Sequence, residues 1–451
     1  MVNWWRPLLL EQYVAAIIAD QEDVGVYFDK RRAERYISYL EKKCEVLYEQ
    51  VRTHLSFNVV SPYDKPVKPF KADGNYTALT VKWMGGEEES KVVSGPFSRV
   101  LFLEPKLDSE KQLKEQLFKL GWKPDEWNYK KDKSGKVIYD ENKQPIPTSP
   151  KLTESSYDSL TIGIGPTISL YLKASMRLSS IRGWLSRVRE DGTIAASANS
   201  LGTPTARMRH SGVVNVPKAS KSVYFGKQCR SLFRARRGRV LVGHDAKGLE
   251  ARMEAHETFS INSDYATNLI TGDVHTPNAE KWGVSRDIAK SGKYALTYGA
   301  YPDKISKTLN ISKRKAKEIF DSFWSSDNPL AVLKARLERF WKKYGWIRGL
   351  DGRKIYIRKQ SDLLNYRFQS DGAIVMKQSM VWLHKRVGKY NIDAVKVIDM
   401  HDEAQADVDP GQADLYAALA IQSIREAGKY FNMNVPLDAD AKIGANWKDT
   451  H

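Results

Sequence analysis

Two places in the chain end a short apolar run on a carboxylate. Val240-Leu241-Val242 suits a buried strand and delivers Asp245 at its end, with Gly248, Glu250 and Arg252 just beyond. Ala394 to Ile398 runs into Met400-His401-Asp402-Glu403 and leaves through the alternating Ala404-Gln405-Ala406-Asp407-Val408, a hairpin pattern with acids at its tip. Two carboxylates from separate strands are what a pair of Mg²⁺ ions ~4 Å apart requires, because hard cations take oxygen ligands and clamp both the attacking and the leaving oxygen of an in-line displacement. Each acid alone is weak evidence, since a single Asp after a strand is more often a turn or a helix cap.

A third pattern is sharper. Arg286, Lys290, Tyr294 and Tyr298 recur every four residues and are followed by Gly299, so they share one helical face that extends ~18 Å. Like charges four apart destabilise a bare helix, so Arg286 above Lys290 calls for a polyanion such as a triphosphate. The two rings can then stack on a base, while Gly299 ends the helix or lets another chain approach closely. The plainer alternative is a solvated basic face with two core tyrosines.

The surrounding elements must position these groups. Helical spacing runs from Leu8 to about Leu55 with a break near Gly25, and again over Ser109–Leu120 and Pro166–Arg189. Between about 56 and 96 the pattern turns to Pro, Gly and β-branched residues, with Thr77 to Trp83 and Lys91 to Val93 flanking Gly85-Gly86, which predicts a hairpin-bearing insertion. Tyr129 to Pro150 reads as a polar loop. From Ala206 to His244 there is no acid, yet ten cations occur: Arg207, Arg209, Lys218, Lys221, Lys227, Arg230, Arg234, Arg236, Arg237 and Arg239. Such a segment would repel itself unless an anion lies against it.

The whole chain repeats that bias. Its 451 residues carry 72 Lys and Arg against 54 Asp and Glu, a formal charge of +18, which leaves nucleic acid as the leading partner because phosphates release counterions to surplus cations. With 41% hydrophobic residues the chain can bury large cores, roughly two to four domains' worth, so an acidic solvating protein is excluded. Two cysteines, Cys44 and Cys229, are too few for a disulfide framework and suit a reducing compartment. The apolar stretch near the start is interrupted by Glu11 and Gln12 and reads as an amphipathic helix rather than a leader or membrane span.

Taken together, the motifs resemble the family A (Pol I-like) DNA polymerases, in particular replicative polymerases of short-tailed lytic phages. The likeness runs from about Glu11 to the end and is strongest after Thr205. It rests on Asp245-Ala-Lys-Gly-Leu-Glu250-Ala-Arg252, on Arg286-x3-Lys290-x3-Tyr294-x3-Tyr298-Gly299 and on His401-Asp402-Glu403, in that order. Gly272-Asp-Val-His275-Thr, Asp351-Gly-Arg-Lys, Gln369-Ser-Asp-Gly, Gly226-Lys-Gln-Cys-Arg-Ser-Leu-Phe233 and Gly444-Ala-Asn-Trp447 also look like family segments.

The resemblance implies an α+β right hand: a helical thumb over 1–189 with the insertion at about 56–96, an antiparallel β-sheet palm over 190–257 and 365–451, and helical fingers over 258–364. It makes Asp245 and Asp402, with the Ala246 carbonyl, the ligands of two Mg²⁺ ions, for which Mn²⁺ can substitute, and Glu403 a supporting catalytic acid. Arg286, Lys290 and His275 would hold the incoming triphosphate, with Lys290 also stabilising the leaving group and donating a proton. Tyr294 would lie against sugar and base, Tyr298 would guard the template side, and Glu250 would exclude a 2′-hydroxyl. Arg207, Gln369 and His401, with Gly299 nearby, would contact the primer–template end in the minor groove, where the acceptors are nearly independent of sequence.

The implied partners are primer–template DNA and dNTPs, together with a separate 3′→5′ exonuclease subunit, a helicase/primase or a processivity factor. No membrane is involved, and the location would be cytoplasmic, in the host if the chain is phage-encoded. Four departures stand out. Lys247 replaces the usual Ser, and Tyr294 stands where many bacterial relatives have Phe, which implies ready use of dideoxynucleotides. No exonuclease motif precedes the thumb, so proofreading is expected to be missing, carried by another polypeptide, or lost by truncation, with the initial Met favouring a natural start. The 56–96 segment sits where phage relatives recruit a processivity factor, and a DNA-covering flap or an ornamental hairpin fits equally. Two rival functions remain: a single-subunit phage-type RNA polymerase, against which Glu250 and Glu403 argue, and a non-catalytic basic DNA-binding protein.

Overall fold

A computed structural model describes residues 4–60, 70–83, 101–124, 126–132, 137–141, 144–325 and 327–451. The chain divides into two compact units, Met1–Glu34 with Ile181–His451, and Arg35–Ser180. Residues 1–34, at the start of the segment assigned by resemblance to a thumb, thus fall in the larger unit.

The smaller unit is built on amphipathic helices. In the helix Glu110–Lys119, Leu113 and Leu117 lie one turn apart and are buried with Val51, Leu107, Trp122, Leu160, Ile168 and Leu172. The expected strand from Thr77 to Trp83 is instead a helix, Ala78–Trp83. Thr77 supplies the reason, since its Oγ1 accepts from the Thr80 amide at 3.3 Å, an N-cap that outweighs the β-branched composition. Lys91 to Val93, the other half of the expected hairpin, lies outside the described residues. The expected loop at 129–150 also holds structure, because Trp127–Tyr129 pairs antiparallel with Pro147–Pro150.

The larger unit centres on a four-stranded antiparallel sheet. Its strands are β1 (Val240–Ala246), β2 (Ala394–Met400), β3 (Glu403–Val408) and β4 (Ala439–Gly444), in the order β2-β3-β1-β4. Alternation gives the two faces different characters. Val242, Ala406 and Val408 face helices, packing with Leu383 of α5 (Leu363–Lys389) and with Tyr416, Leu419 and Ala420 of α6 (Ala413–Tyr430). The opposite face is polar. There Asp407 takes the Arg236 side chain at 3.1 Å and Arg239 as well, and Gln405 accepts from Thr450 at 2.6 Å. Gly243 has no room for a side chain here, since a Cβ would meet Thr450 O at 2.6 Å.

Four more helices matter below. The N-terminal helix α1 (Trp5–Val24) buries Leu10, Val14, Ile17 and Ile18 against Met380 and Val381 of α5. After β1 come α2 (Leu249–Thr258), α3 (His275–Trp282) and α4 (Arg286–Thr297), the last capped by the Ser285 side chain on the Ile288 amide. On α4, Ala289 and Leu296 share a core with Trp282, Ile305 and Leu309, so the Arg286–Lys290–Tyr294 face is left for other work. No described helix is long and apolar enough to cross a membrane.

Candidate active site

Strand register brings the distant acids together. Asp245 pairs with Glu403 across β1–β3, and the Ala246 amide donates to the Asp402 carbonyl at 3.1 Å, so the end of β1 abuts the hairpin turn. Asp245 is open to solvent, yet surrounding protein still desolvates its carboxyl. That burial, with repulsion from Asp402 and then Glu403, pushes it up to about 6. Burial raises Asp402 as well.

Glu403 behaves differently from its neighbours. It is buried and accepts from Gln405 Nε2 at 2.9 Å, from the Trp447 indole, and from His451 Nδ1 at 2.9 Å. Burial would raise it, but the His451 and Trp447 donors outweigh that and hold it below its ordinary value. Its oxygens are engaged by the protein. Asp440, opposite Asp245 on β4, is likewise taken, by Lys247 at 2.8 Å. Lys247 also reaches Asp438 at 3.1 Å, so this cation near Asp245 is neutralised locally.

A cleft of about 210 Å³ gathers Arg207, Glu250, Tyr294, Gln369, His401 and Asp402, six residues singled out in the sequence. Gln369, Gly372, Ala373 and Met376 line it at helical spacing along α5. His401 occupies the hairpin turn with φ 67° and its ring stands edge-on to His210 at 4.8 Å; burial, then Arg207, lowers it to about 4.

Two rungs tie α2 to α4. Glu250 accepts from the Tyr298 hydroxyl, and one turn on Glu254 holds the buried Lys293 at 2.9 Å. Tyr294 lies 6.1 Å from the Tyr298 ring and 6.3 Å from the His275 ring, which puts α3 beside this face of α4. Burial, then Lys293 and Arg286, lowers His275. Arg286 and Lys290 are exposed farther along the same face, outside the cleft lining. Arg286 Nε donates to Asp273 at 2.7 Å, so an acid of the chain stands where an external anion was expected. Gly299 (φ 79°) both ends the helix and permits close approach: a Cβ there would meet Ser361 O at 2.6 Å.

The acid-free basic segment is also partly answered from within. Arg234 pairs with Asp29 at 3.2 Å, Arg236 with Asp407 at 3.1 Å and Arg239 with Asp393 at 2.8 Å, while buried Arg230 stacks its guanidinium over Trp447.

The solved POL domain of Pol1 from M. smegmatis, in complex with DNA primer-template and dNTP, superposes with a TM-score of 0.72 at 18% identity, covering 97% of this chain and 70% of that one. That likeness shows the α+β polymerase fold. The family model for DNA polymerase family A matches residues 97–449, from before the first acid to beyond Trp447. The chain belongs to DNA polymerase family A. Among related proteins, the DNA-directed DNA polymerase of Escherichia phage Phieco32 is 28% identical over 85% of this polymerase and 77% of its own length. Those of Enterobacteria phage T3 and Escherichia phage T7 are 26% and 25% identical over 98% of it and 70% of theirs.

One group in this polymerase escaped sequence reasoning. Lys377, fully buried on α5, donates to Glu11 Oε1 and Oε2 at 2.7 and 2.8 Å, to Ser200 O at 2.7 Å and to Ala206 O at 2.8 Å. Arg353 joins Glu11 at 2.6 Å and is itself gripped by Asp351. Ala206 is left-handed (φ 58°) without being glycine, and the next residue is Arg207. The clue in the sequence was Lys377's place eight residues beyond Gln369, two helical turns along.

Proposed function

We propose that this polymerase extends a DNA primer on a template strand by nucleotidyl transfer from dNTPs, at a site where Asp245 and Asp402 hold two divalent cations. The observation that carries this is the meeting of β1 with the hairpin turn, which leaves those two carboxylates both raised, chiefly by burial, while Lys247 and His451 serve their neighbours. Among the described residues no group of three or more His, Cys, Asp or Glu is arranged to hold a metal ion alone. Mg²⁺ is commonly held by one or two carboxylates and completed by substrate phosphates. When bound, Mg²⁺ or Mn²⁺ would lower the pKa of the primer 3′-hydroxyl and neutralise charge on the triphosphate.

The chain's own side chains fill the remaining roles. Asp245 and Asp402, with the Ala246 carbonyl, would hold the cations, and Glu403, engaged by Trp447 and His451, stiffens the turn rather than lending an oxygen. Arg286, Lys290 and His275 take the triphosphate along one line of α3 and α4, and Lys290 passes a proton to departing pyrophosphate. The Tyr298–Glu250 hydrogen bond holds Glu250 in the cleft, where it occupies the space a 2′-hydroxyl would need. Arg207, Gln369 and His401 read the primer end through minor-groove acceptors. In domain terms, 190–257 and 365–451 form the palm, 258–364 the fingers and 1–189 the thumb. Closure of α4 over a matched nucleotide completes the site.

Primer extension by the whole chain tests this. Synthesis is expected with dNTPs and Mg²⁺, and Asp245→Ala and Asp402→Ala should each lower it by about three orders of magnitude. Preferential use of NTPs would favour an RNA polymerase, and extension that survives Asp402→Ala would remove the site assignment.

A further inference from the structure

Two charged side chains stand in rows that are otherwise apolar. On α2, Glu254 is 4% exposed between Met253 and Ala255, both fully buried. On α4, Lys293 is also 4% exposed, one turn from the fully buried Ala289 and on the same face as Leu296. The ammonium grips both oxygens, donating to Glu254 Oε1 at 2.9 Å and to Oε2 at 3.1 Å. A third element joins them. Tyr265, on the helix Ser263–Thr271, donates its hydroxyl to the same Oε1 at 2.5 Å, and burial, then Glu254, raises that hydroxyl so that it stays a donor.

Stability does not call for this arrangement. A buried ion pair regains in attraction about what it loses in hydration, and apolar side chains of similar size often leave a protein as stable or more so. What the pair adds is direction, because hydrogen bonds act over a narrow range of angles whereas apolar contact does not. Tyr298 and Glu250 make the other tie between α2 and α4. Tyr294, which lines the cleft, lies between the two ties along α4. One tie leaves α4 free to pivot, and two fix its roll.

We propose that Glu254, Lys293 and Tyr265 act as a positioning unit, which sets the roll of α4 against α2 and through it the place of Tyr294 at the incoming nucleotide. None of the three lines the cleft, so the unit acts through Tyr294 and not by contact. A roll of about 10° moves a ring ~6 Å from the helix axis by ~1 Å, and a misplacement of that size can cost about 10²-fold in rate. The inference rests on the polymerase reading above and takes Tyr294 to lie against the sugar and base of the dNTP.

Tyr265→Phe, Glu254→Leu and Lys293→Met, combined in the full chain, remove all three polar groups at once, so that none is left buried alone. This triple variant should melt no lower than the parent, whereas Lys293→Met by itself, which strands the Glu254 carboxylate, should melt several degrees lower. The triple variant should bind primer–template within about twofold of the parent, yet its kcat/KM for dNTP should fall about tenfold or more, and its preference between dNTP and ddNTP should shift by about threefold or more. That preference is a ratio measured on one protein, so a loss of folded chain does not move it. Extension and preference both equal to the parent's would overturn the positioning role. So would a triple variant that melts as low as Lys293→Met, since the unit would then serve stability. A fall in kcat/KM with the preference unchanged would overturn the link to Tyr294. A parent chain that makes no DNA would instead defeat the polymerase reading, and this inference with it.

Discussion

Replacing Lys377 by Met should damage synthesis more than its distance from the acids suggests. The ammonium makes four hydrogen bonds of 2.7–2.8 Å, two to Glu11 and one each to Ser200 O and Ala206 O. Its removal leaves a buried carboxylate with Arg353 as its remaining cation, and breaking a buried pair in this way costs about 3–5 kcal/mol. The second effect is local. Ala206 stays left-handed against a preference of about 1–2 kcal/mol, and the Lys377 hydrogen bond to its carbonyl is part of what holds it there. Without that bond the Arg207 backbone leaves its place for most of the time, since 1.4 kcal/mol is a factor of ten. Lys377→Met should therefore lower Tm and also lower kcat/KM for correct extension about tenfold, with a smaller loss on mismatched primer ends. Adding Ala206→Gly relieves the left-handed penalty, so the double variant should recover several-fold in extension without recovering Tm. Steady-state extension of matched and mismatched primers, beside thermal unfolding, checks both. A Lys377→Met protein that melts early yet extends both primers as the parent does would refute the positioning argument.

Three further outcomes follow from the site. Because the folded Asp245 carboxyl sits at about 6, above its ordinary value, stability falls as pH rises through that interval and the penalty is constant above it. Asp245→Asn in metal-free buffer should thus match the parent at pH 3.5 and melt about 1–2 °C higher at pH 8; an unscreened effect would be about 3 kcal/mol, but solvent access reduces it to ~1 kcal/mol, and equal melting at pH 8 would contradict the penalty that burial and the neighbouring acids place on the ionised carboxyl. Glu250→Ala should raise the use of GTP relative to dGTP by about tenfold or more, measured as a ratio of kcat/KM; an unchanged ratio sinks its role against the 2′-hydroxyl. Asp273→Asn frees Arg286 from a competing anion, so KM for dNTP should fall about two- to fivefold with kcat unchanged, and a raised KM would mean that Asp273 positions Arg286 instead.

What could be read from sequence, and what could not, divides along physical lines. The strand ends at Asp245 and Asp402 and the face Arg286–Lys290–Tyr294 were legible because they follow local periods of two and 3.6 residues. Pairings between distant residues were not. Nothing near Glu403 in the sequence announces Trp447 and His451, and nothing in 206–244 announces that Asp29, Asp393 and Asp407 neutralise three of its arginines. The same holds for Glu11 beneath Lys377. The misread strand at 77–83 failed for a different reason: one capping hydroxyl decided a segment whose composition favoured the other state.

The polar face of the sheet carries one more implication. Asp245 reaches the hairpin turn because β1 is in register with β3 from Val240 opposite Val408 to Asp245 opposite Glu403, and with β4 on its other side. A slip of a single residue would turn Asp245 toward the helices and bring His244 outward, with the same strands still paired and the chain still compact. Turnover in a freshly refolded sample therefore counts correctly threaded molecules, a quantity that circular dichroism or size alone would miss.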